Sequence, residues 1–246
     1  MSISRNIKSG YVQIAHGLGR GADAVGLIPW LDRRATRSRR AHWLRSLFAI
    51  HDVDALVSLD VPWWTYAAID EVDAFLKARP GARVFEYGSG ASTVWLARRA
   101  GSVTSVEHMA GWHERVELLI AAHALQADVD LRLVEPDATP SEDSLYLSQK
   151  PGETGASFTA YAAAIDAADG PFDVIVVDGR ARQACLEHAK RRLAPDGIIV
   201  FDNSNRARYR DAIENSGLHG SRLRGLTPSL PYPDETTLLA AGAAST

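Results

Sequence analysis

The chain has 246 residues, 46% of them hydrophobic and 23% charged, with a formal net charge of −3. Those values fit one large α/β domain, or one domain with an extension, and give no global electrostatic pull toward nucleic acid or an anionic membrane. No apolar stretch approaches the roughly 20 residues needed to span a bilayer, residues 1–30 hold no cleavable-signal core, and the single Cys185 excludes an intrachain disulfide, so a soluble cytoplasmic enzyme is expected.

In chain order, residues 1–80 read as a helical N-terminal cap on the core, with helices predicted over 35–50 and 65–78 and a break at Pro62-Trp63-Trp64. A basic stretch (Arg33, Arg34, Arg37, Arg39, Arg40, with Arg45 beyond) is a solvated helix face in most proteins, and otherwise a surface for an acidic substrate, a carrier protein or a nucleic acid. Trp63, Trp64 and Tyr66 pack as core against the sheet edge or roof an acceptor pocket. From 81 to 246 the chain alternates strand-like runs (83–87, 103–107, 129–134, 172–178, 197–202) with Ala- and Leu-rich helical stretches (92–99, 112–125, 158–168, 182–193). Such alternation, with near-continuous apolar strands, predicts a mostly parallel sheet covered on both faces. Residues 136–157 read as a long surface loop or lid, and Pro195-Asp196-Gly197 as a turn. A helix over 206–216 and an antiparallel closing pair near 220–226 and 236–240 complete the chain.

The run Arg83-Val-Phe-Glu-Tyr-Gly-Ser-Gly-Ala-Ser-Thr93 narrows the function most. A strand runs into Glu86, Gly88 and Gly90, and a helix opens near Ala91, the layout of a nucleotide-binding βα unit. Glycines there let backbone approach a ligand where a Cβ would collide. A dinucleotide fingerprint needs a third glycine at position 93, and Thr93 weakens that reading. Glu107 follows Gly88 by 19 residues, the placement of an acid that accepts ribose hydroxyls. His108 beside it is a wall of the adenosine pocket or a loop histidine. Asp137 either receives an adenine amino group or forms a turn.

Asp178 ends the fourth strand, and Asp202 with Asn203 closes the fifth. Ligands of open α/β sheets bind outside the carboxyl ends of the strands. Two carboxylates and an amide oxygen converging there make a hard-oxygen site of the kind Mg²⁺ accepts; the alternative is that Asp202 and Asn203 cap the next helix.

Together, segments 85–93, 105–108, 177–180 and 202–204 resemble class I S-adenosylmethionine (SAM) methyltransferases and, more narrowly, the bacterial small-molecule methyltransferases of the family 24 type, over residues 60–240. The resemblance implies a doubly wound, mostly parallel seven-stranded sheet (a Rossmann-like methyltransferase fold) behind a helical N-terminal extension. It also implies a SAM site formed by Glu86, Tyr87, Gly88, Ser89, Gly90, Ser92, Thr93, Glu107, His108, Asp137 and Asp178. Asp178, Asp202 and Asn203 are further similar to the metal-ligand positions of catechol- and caffeoyl-type O-methyltransferases. That likeness implies Mg²⁺ on these three, and roles for Asp178 and Asp202 in orienting or activating a hydroxyl acceptor. The catechol enzymes carry a lysine base where this chain has Ala181, and a guanidinium (Arg180, Arg182) does not release its proton. Either the base lies elsewhere or the metal alone acidifies the hydroxyl. The expected function is SAM-dependent methyl transfer to a small molecule at oxygen, with a homo-oligomer left open and nucleic acid disfavoured. Its rivals are an NAD(P)-dependent oxidoreductase, against which the lack of a Tyr-x-x-x-Lys pair counts, and a non-catalytic SAM-binding module.

Overall fold

The computed structural model describes residues 26–50, 52–150 and 152–241; the first 25 residues of the expected cap, and the signal-core reading made on them, lie outside these. Seven strands, β1 (Arg83–Tyr87), β2 (Ser102–Glu107), β3 (Asp128–Leu133), β4 (Phe172–Val177), β5 (Leu193–Asp202), β6 (His219–Gly225) and β7 (Asp234–Ala240), form one sheet in the order β3-β2-β1-β4-β5-β7-β6. Neighbours are parallel from β3 to β5, and β7 runs antiparallel to both β5 and β6. The doubly wound sheet and its closing hairpin thus match the expectation.

The apolar strands sort their side chains by parity, because successive residues point to opposite faces. Val84, Val174, Val176 and Val200 pack with helices α3 (Val53–Ser58), α4 (Tyr66–Lys77) and α5 (Ala91–Ala97). Phe85, Tyr87, Ile175, Val177, Ile199 and Phe201 pack on the other face, beneath α7 (Thr159–Ala163), α8 (Arg182–Arg192) and α9 (Ala207–Glu214). Helix α6 (Ala110–Ala122) follows β2.

The N-terminal segment departs from its predicted outline. The single helix expected over 35–50 is two, α1 (Leu27–Ala35) and α2 (Arg39–Ser46), because the Ser38 hydroxyl accepts from the Ala41 N–H and starts a new helix. Helix α3 was not foreseen; Asp52 caps it by accepting from Ala55 N–H at 3.0 Å. The basic stretch lies on these helices: Arg45 pairs with Asp32 at 2.7 Å, and Arg39 pairs with Asp70 and rests on the Tyr66 ring. Of the two tryptophans, Trp64 is fully buried, edge-on to Trp95 at 5.8 Å.

Two core elements also differ. Only 159–163 of the predicted 158–168 is α-helical, and the rest continues in i→i−3 turns at Ala164, Asp166 and Ala168. Strand β5 starts four residues before the expected 197, with the turn built into it. Leu193 pairs with Phe172 and Ile198 with Val174, so Pro195-Asp196-Gly197 bulges from the ladder that proline cannot enter.

Hydrogen bonds fasten the N-terminal helices to the far end of the chain. Trp43 Nε1 donates to Leu230 O, Ser229 N–H to Ser46 Oγ, Tyr66 N–H to Leu226 O, and Thr65 N–H to Thr236 Oγ1. Trp64→Ala should therefore lower the stability of the whole unit, by about 3–5 kcal/mol. Chemical denaturation should show one cooperative transition at lower denaturant. A separate early transition with the core's midpoint unchanged would show that the helices fold apart from the sheet.

Candidate cofactor and active site

Strand order reverses between β1 and β4, and ligand crevices of such sheets open where it does. A cavity of 410 Å³ opens there, within the range of small-molecule sites. Its walls are Gly88, Ser89, Gly90 and Ser92 after β1; Glu107, His108, Met109 and Trp112 after β2; and Asp178, Gly179 and Arg180 after β4. Val53, Leu56 and Trp63 close it from the N-terminal helices, and Lys150 from the long loop.

The two glycines of the turn serve different ends. Gly88 has φ +94°, and a Cβ on it would sit 2.9 Å from Gly179 Cα, so its lack of a side chain lets β1 and β4 close together. Gly90 has an extended φ of 167°, and a Cβ there would meet only the Trp112 ring, at 3.9 Å. The space it leaves belongs to the cavity.

Glu86 lies beneath this turn, not in the cavity. It is fully buried and accepts from the hydroxyls of Ser92 (2.5 Å), Thr93 (2.6 Å) and Ser105 (2.7 Å). Thr93 in turn accepts the Gly90 N–H at 2.9 Å. Burial pushes the Glu86 carboxyl up to about 7 against those three donors. Tyr87 points to the opposite face, its hydroxyl donating to Ala162 O at 2.7 Å. The expectation that Glu86, Tyr87 and Thr93 touch the cofactor is therefore corrected: Glu86 and Thr93 shape the turn and Tyr87 is core.

Glu107 lines the cavity. Its Oε1 accepts from His108 N–H (2.7 Å) and Met109 N–H (2.9 Å), and its Oε2 from the Ser89 hydroxyl (3.2 Å). Burial alone would raise its pKa, but His108 and the Met109 N–H hold it below the usual carboxylate value. His108 Nδ1 lies 2.7 Å from Glu107 Oε1 without hydrogen-bond geometry, so the ring is a wall that faces Glu107 on one side and Glu153, at 3.8 Å, on the other. Trp112 Nε1 donates to Ser89 O at 2.9 Å and closes the turn from outside. The long loop reaches the cavity rim through Glu153, which bonds Arg180 Nε at 2.5 Å and Lys150 Nζ at 3.0 Å; partial burial opposes ionisation, yet these two cations hold its carboxyl down at about 2.

Asp137 is the second correction. Its carboxylate accepts from Ser157 Oγ (2.6 Å), Thr159 N–H (2.6 Å) and Ala160 N–H (3.1 Å), outside the cavity. It caps α7 and pins the long loop there.

At the ends of β4 and β5 each of the three expected metal ligands has a protein partner. Asp178 faces the cavity, but its Oδ1 is held by Arg182 Nη2 at 2.5 Å. Asp202 is buried, its Oδ1 accepting from the Thr236 hydroxyl at 2.8 Å. Asn203, in a left-handed turn at φ +48°, donates its amide to Asp234 at 2.9 Å. Nor do the two residues cap α9, which starts from Arg206 without a side-chain cap. Among the described residues no group of three or more His, Cys, Asp and Glu is placed to hold a metal ion. Burial raises the Asp178 carboxyl against Arg182, Arg206 and Arg180, and burial with the charge of Asp178 raises Asp202 well above the usual range. One oxygen of each carboxylate is thus already engaged by the protein.

The sequence assigned no site role to Trp112, Lys150 and Arg180, which line the cavity, or to Arg182 behind Asp178. Arg182 alone had a sequence signal, its place four residues after Asp178 in a helix-opening turn.

Residues 85–204 match a family profile described as a methyltransferase domain, of the family 24 type. That segment, just under half of the chain, is similar to methyltransferase domains of that type. An O-methyltransferase from Bacillus cereus, solved in complex with SAH, has the same fold: TM-score 0.56 at 16% identity, covering 77% of this chain and 90% of that one. A methyltransferase-like protein from Silicibacter pomeroyi (TM-score 0.47, 23% identity, 71% and 88% covered) and a cofactor-bound protein from MTB (0.49, 22%, 78% and 89%) are also similar. No curated protein matches the sequence.

Two outcomes are expected from the turn. Gly90→Ala should keep the wild-type melting temperature and lose SAM affinity in calorimetry, whereas Gly88→Ala should lose stability, since both its φ and its neighbour Gly179 oppose a side chain; the reverse pattern would exchange their roles. For Glu86, the raised carboxyl makes the native state the better proton binder between 4.5 and about 7. The stability tied to this carboxyl is therefore full below 4.5 and lost as pH rises through 7. Relative to Glu86→Gln, wild type should lose up to about 1.4 kcal/mol per pH unit across that window. A parallel pair of stability curves would refute the shift.

Proposed function

We propose that the chain transfers a methyl group from SAM to a hydroxyl oxygen of a small-molecule acceptor. The observation that carries this reading is Gly90, whose absent side chain opens only into a cavity that also exposes Glu107. Bound SAM would supply a methyl group already electrophilic through its sulfonium. Gly88, Ser89 and Gly90 would admit the cofactor against backbone, and Glu107, fixed by two N–H groups and Ser89, would accept the ribose hydroxyls. His108, Met109 and Trp112 would wall the nucleoside side. Asp178, open to the cavity beside the turn, would orient the acceptor hydroxyl and take its proton.

Residues 1–80 serve in this reading as a cap on a SAM-binding core of 81–246. Val53, Leu56 and Trp63 support it, since these apolar groups close the cavity that the glycine turn opens. Excluding water and aligning donor with acceptor is the main work left to a protein whose methyl donor is already reactive. No described helix is long and apolar enough to cross a membrane, which fits a small-molecule acceptor taken from solution.

The test is calorimetry against SAM, S-adenosylhomocysteine, NADH and NADPH. SAM and S-adenosylhomocysteine should bind and the nicotinamides should not; the opposite result would replace this reading with the oxidoreductase one. Glu107→Gln keeps an oxygen for the His108–Met109 turn but loses the charge, at a cost of about 1.5–3 kcal/mol for charge-assisted bonds. SAM should bind that variant roughly tenfold to a hundredfold more weakly. Unchanged affinity would take Glu107 out of the site.

A further inference from the structure

We propose that the Arg182 guanidinium is the built-in counter-charge of Asp178, so that Asp178 handles the proton of a single acceptor hydroxyl without a divalent cation. The inference rests on the methyltransferase reading above and concerns how that site is charged.

Arg182 is 6% exposed and gathers oxygens from both strand ends. Nε donates to Gly179 O at 3.2 Å, Nη1 to Asp202 O at 2.6 Å, and Nη2 to Asp178 O at 2.9 Å and Asp178 Oδ1 at 2.5 Å. Three are backbone carbonyls and one is a carboxylate oxygen, and a planar fork with five donors suits such a divergent set. The chain bends to put it there. Ala181 opens α8 in the left-handed region at φ +42°, a conformation costly to a residue with a side chain, and its neighbour Arg182 reaches back over β4 and β5.

The other charges facing Asp178 point the same way. Arg180 and Arg206 add positive charge from the β4–α8 and β5–α9 turns, while Asp202 and Glu86 are carboxyls that burial moves toward the neutral form. A divalent ion entering beside Arg182 would meet repulsion and would find Asp178 Oδ1 and Asp202 Oδ1 already engaged by Arg182 and Thr236. Arg182 is thus a positioning residue: it fixes and counter-charges Asp178 without lining the cavity itself.

The consequence reaches the substrate. A metal that chelates two neighbouring oxygens favours vicinal diols, whereas a guanidinium consumed by four internal bonds asks nothing of the acceptor. Trp63, on the N-terminal side of the cavity, offers a flat wall away from the nucleoside side, so the acceptor class is a monohydroxylated aromatic. In the transfer, a bond forms between the acceptor oxygen and the methyl carbon as the carbon–sulfur bond breaks, its electron pair remaining on sulfur. The hydroxyl proton passes to Asp178 and then to water. Nothing is oxidised or reduced.

Titrating Mg²⁺ alone into the EDTA-stripped protein, by calorimetry, should give no saturable heat. Turnover of a simple phenol should be unchanged in EDTA and no slower than that of a catechol. Saturable Mg²⁺ binding, or a loss in EDTA that Mg²⁺ restores, would overturn the proposal; because the calorimetry uses wild type, it decides even where no acceptor turns over. Arg182→Met should lower kcat by about a hundredfold with SAM affinity kept, and Arg182→Lys should recover part of it, as expected for lost support of a proton acceptor. A full kcat in Arg182→Met would remove its role. Failure to bind SAM at all would instead sink the underlying methyltransferase reading, and the two failures are distinct.

Discussion

The site depends on one buried carboxylate. Burying a carboxylate is tolerated only when hydrogen bonds replace water, and Glu86 has three hydroxyl donors, from Ser92, Thr93 and Ser105. Through Thr93 that network reaches the Gly90 N–H, so the edge of the cofactor cavity is set from below. This explains a departure from the dinucleotide pattern. Position 93 carries threonine because its hydroxyl links the acid to the turn, a task glycine cannot perform. The same substitution that argues against a pyrophosphate is what holds the turn open for a different ligand.

The crevice has two electrostatic halves. On the β1–β2 side Glu107 stays ionised, held by backbone N–H groups, which suits neutral hydroxyl donors on a sugar. On the β4–β5 side a carboxylate meets a guanidinium fixed by the same strand ends, and the second acid, Asp202, is pushed toward its neutral form. In the proposed function one half would bind and the other handle a proton; they meet at Gly88 and Gly179, where the backbones approach closely.

The sheet was legible because its central strands are short apolar runs between turn residues, and the glycine turn because its spacing is tied to a function. Glu86 could have been placed by parity: it shares a face with Val84, beneath the turn, while Phe85 and Tyr87 face the other way. Asp137 could not, because its partners lie 20 to 23 residues away across a loop whose path no local pattern encodes. The short helices α1 and α3 escaped because a helix of six to nine residues shows too few turns for a period, and its start depends on a single cap. The surroundings of Asp178 were hidden for a related reason. The residue types at the strand ends suit a cation, but the guanidinium that pairs with Asp178 arrives from α8, in a direction set by Ala181's backbone.

The closing hairpin has a role that its weak sequence signal concealed. Thr236 on β7 accepts the Thr65 N–H at 3.2 Å and donates its hydroxyl to Asp202 Oδ1 at 2.8 Å. One threonine thus joins the entrance of α4, next to the cavity wall at Trp63, to the buried acid behind Asp178. Because β7 runs antiparallel between β5 and β6, its start lies beside the carboxyl end of β5, where an additional parallel strand would present its last residues instead. The reversed strand is therefore what brings the N-terminal helices and the reacting end of the sheet into one bonded unit. It also ties the position of the cap to the charge balance around Arg182, so that shifting either should disturb the other.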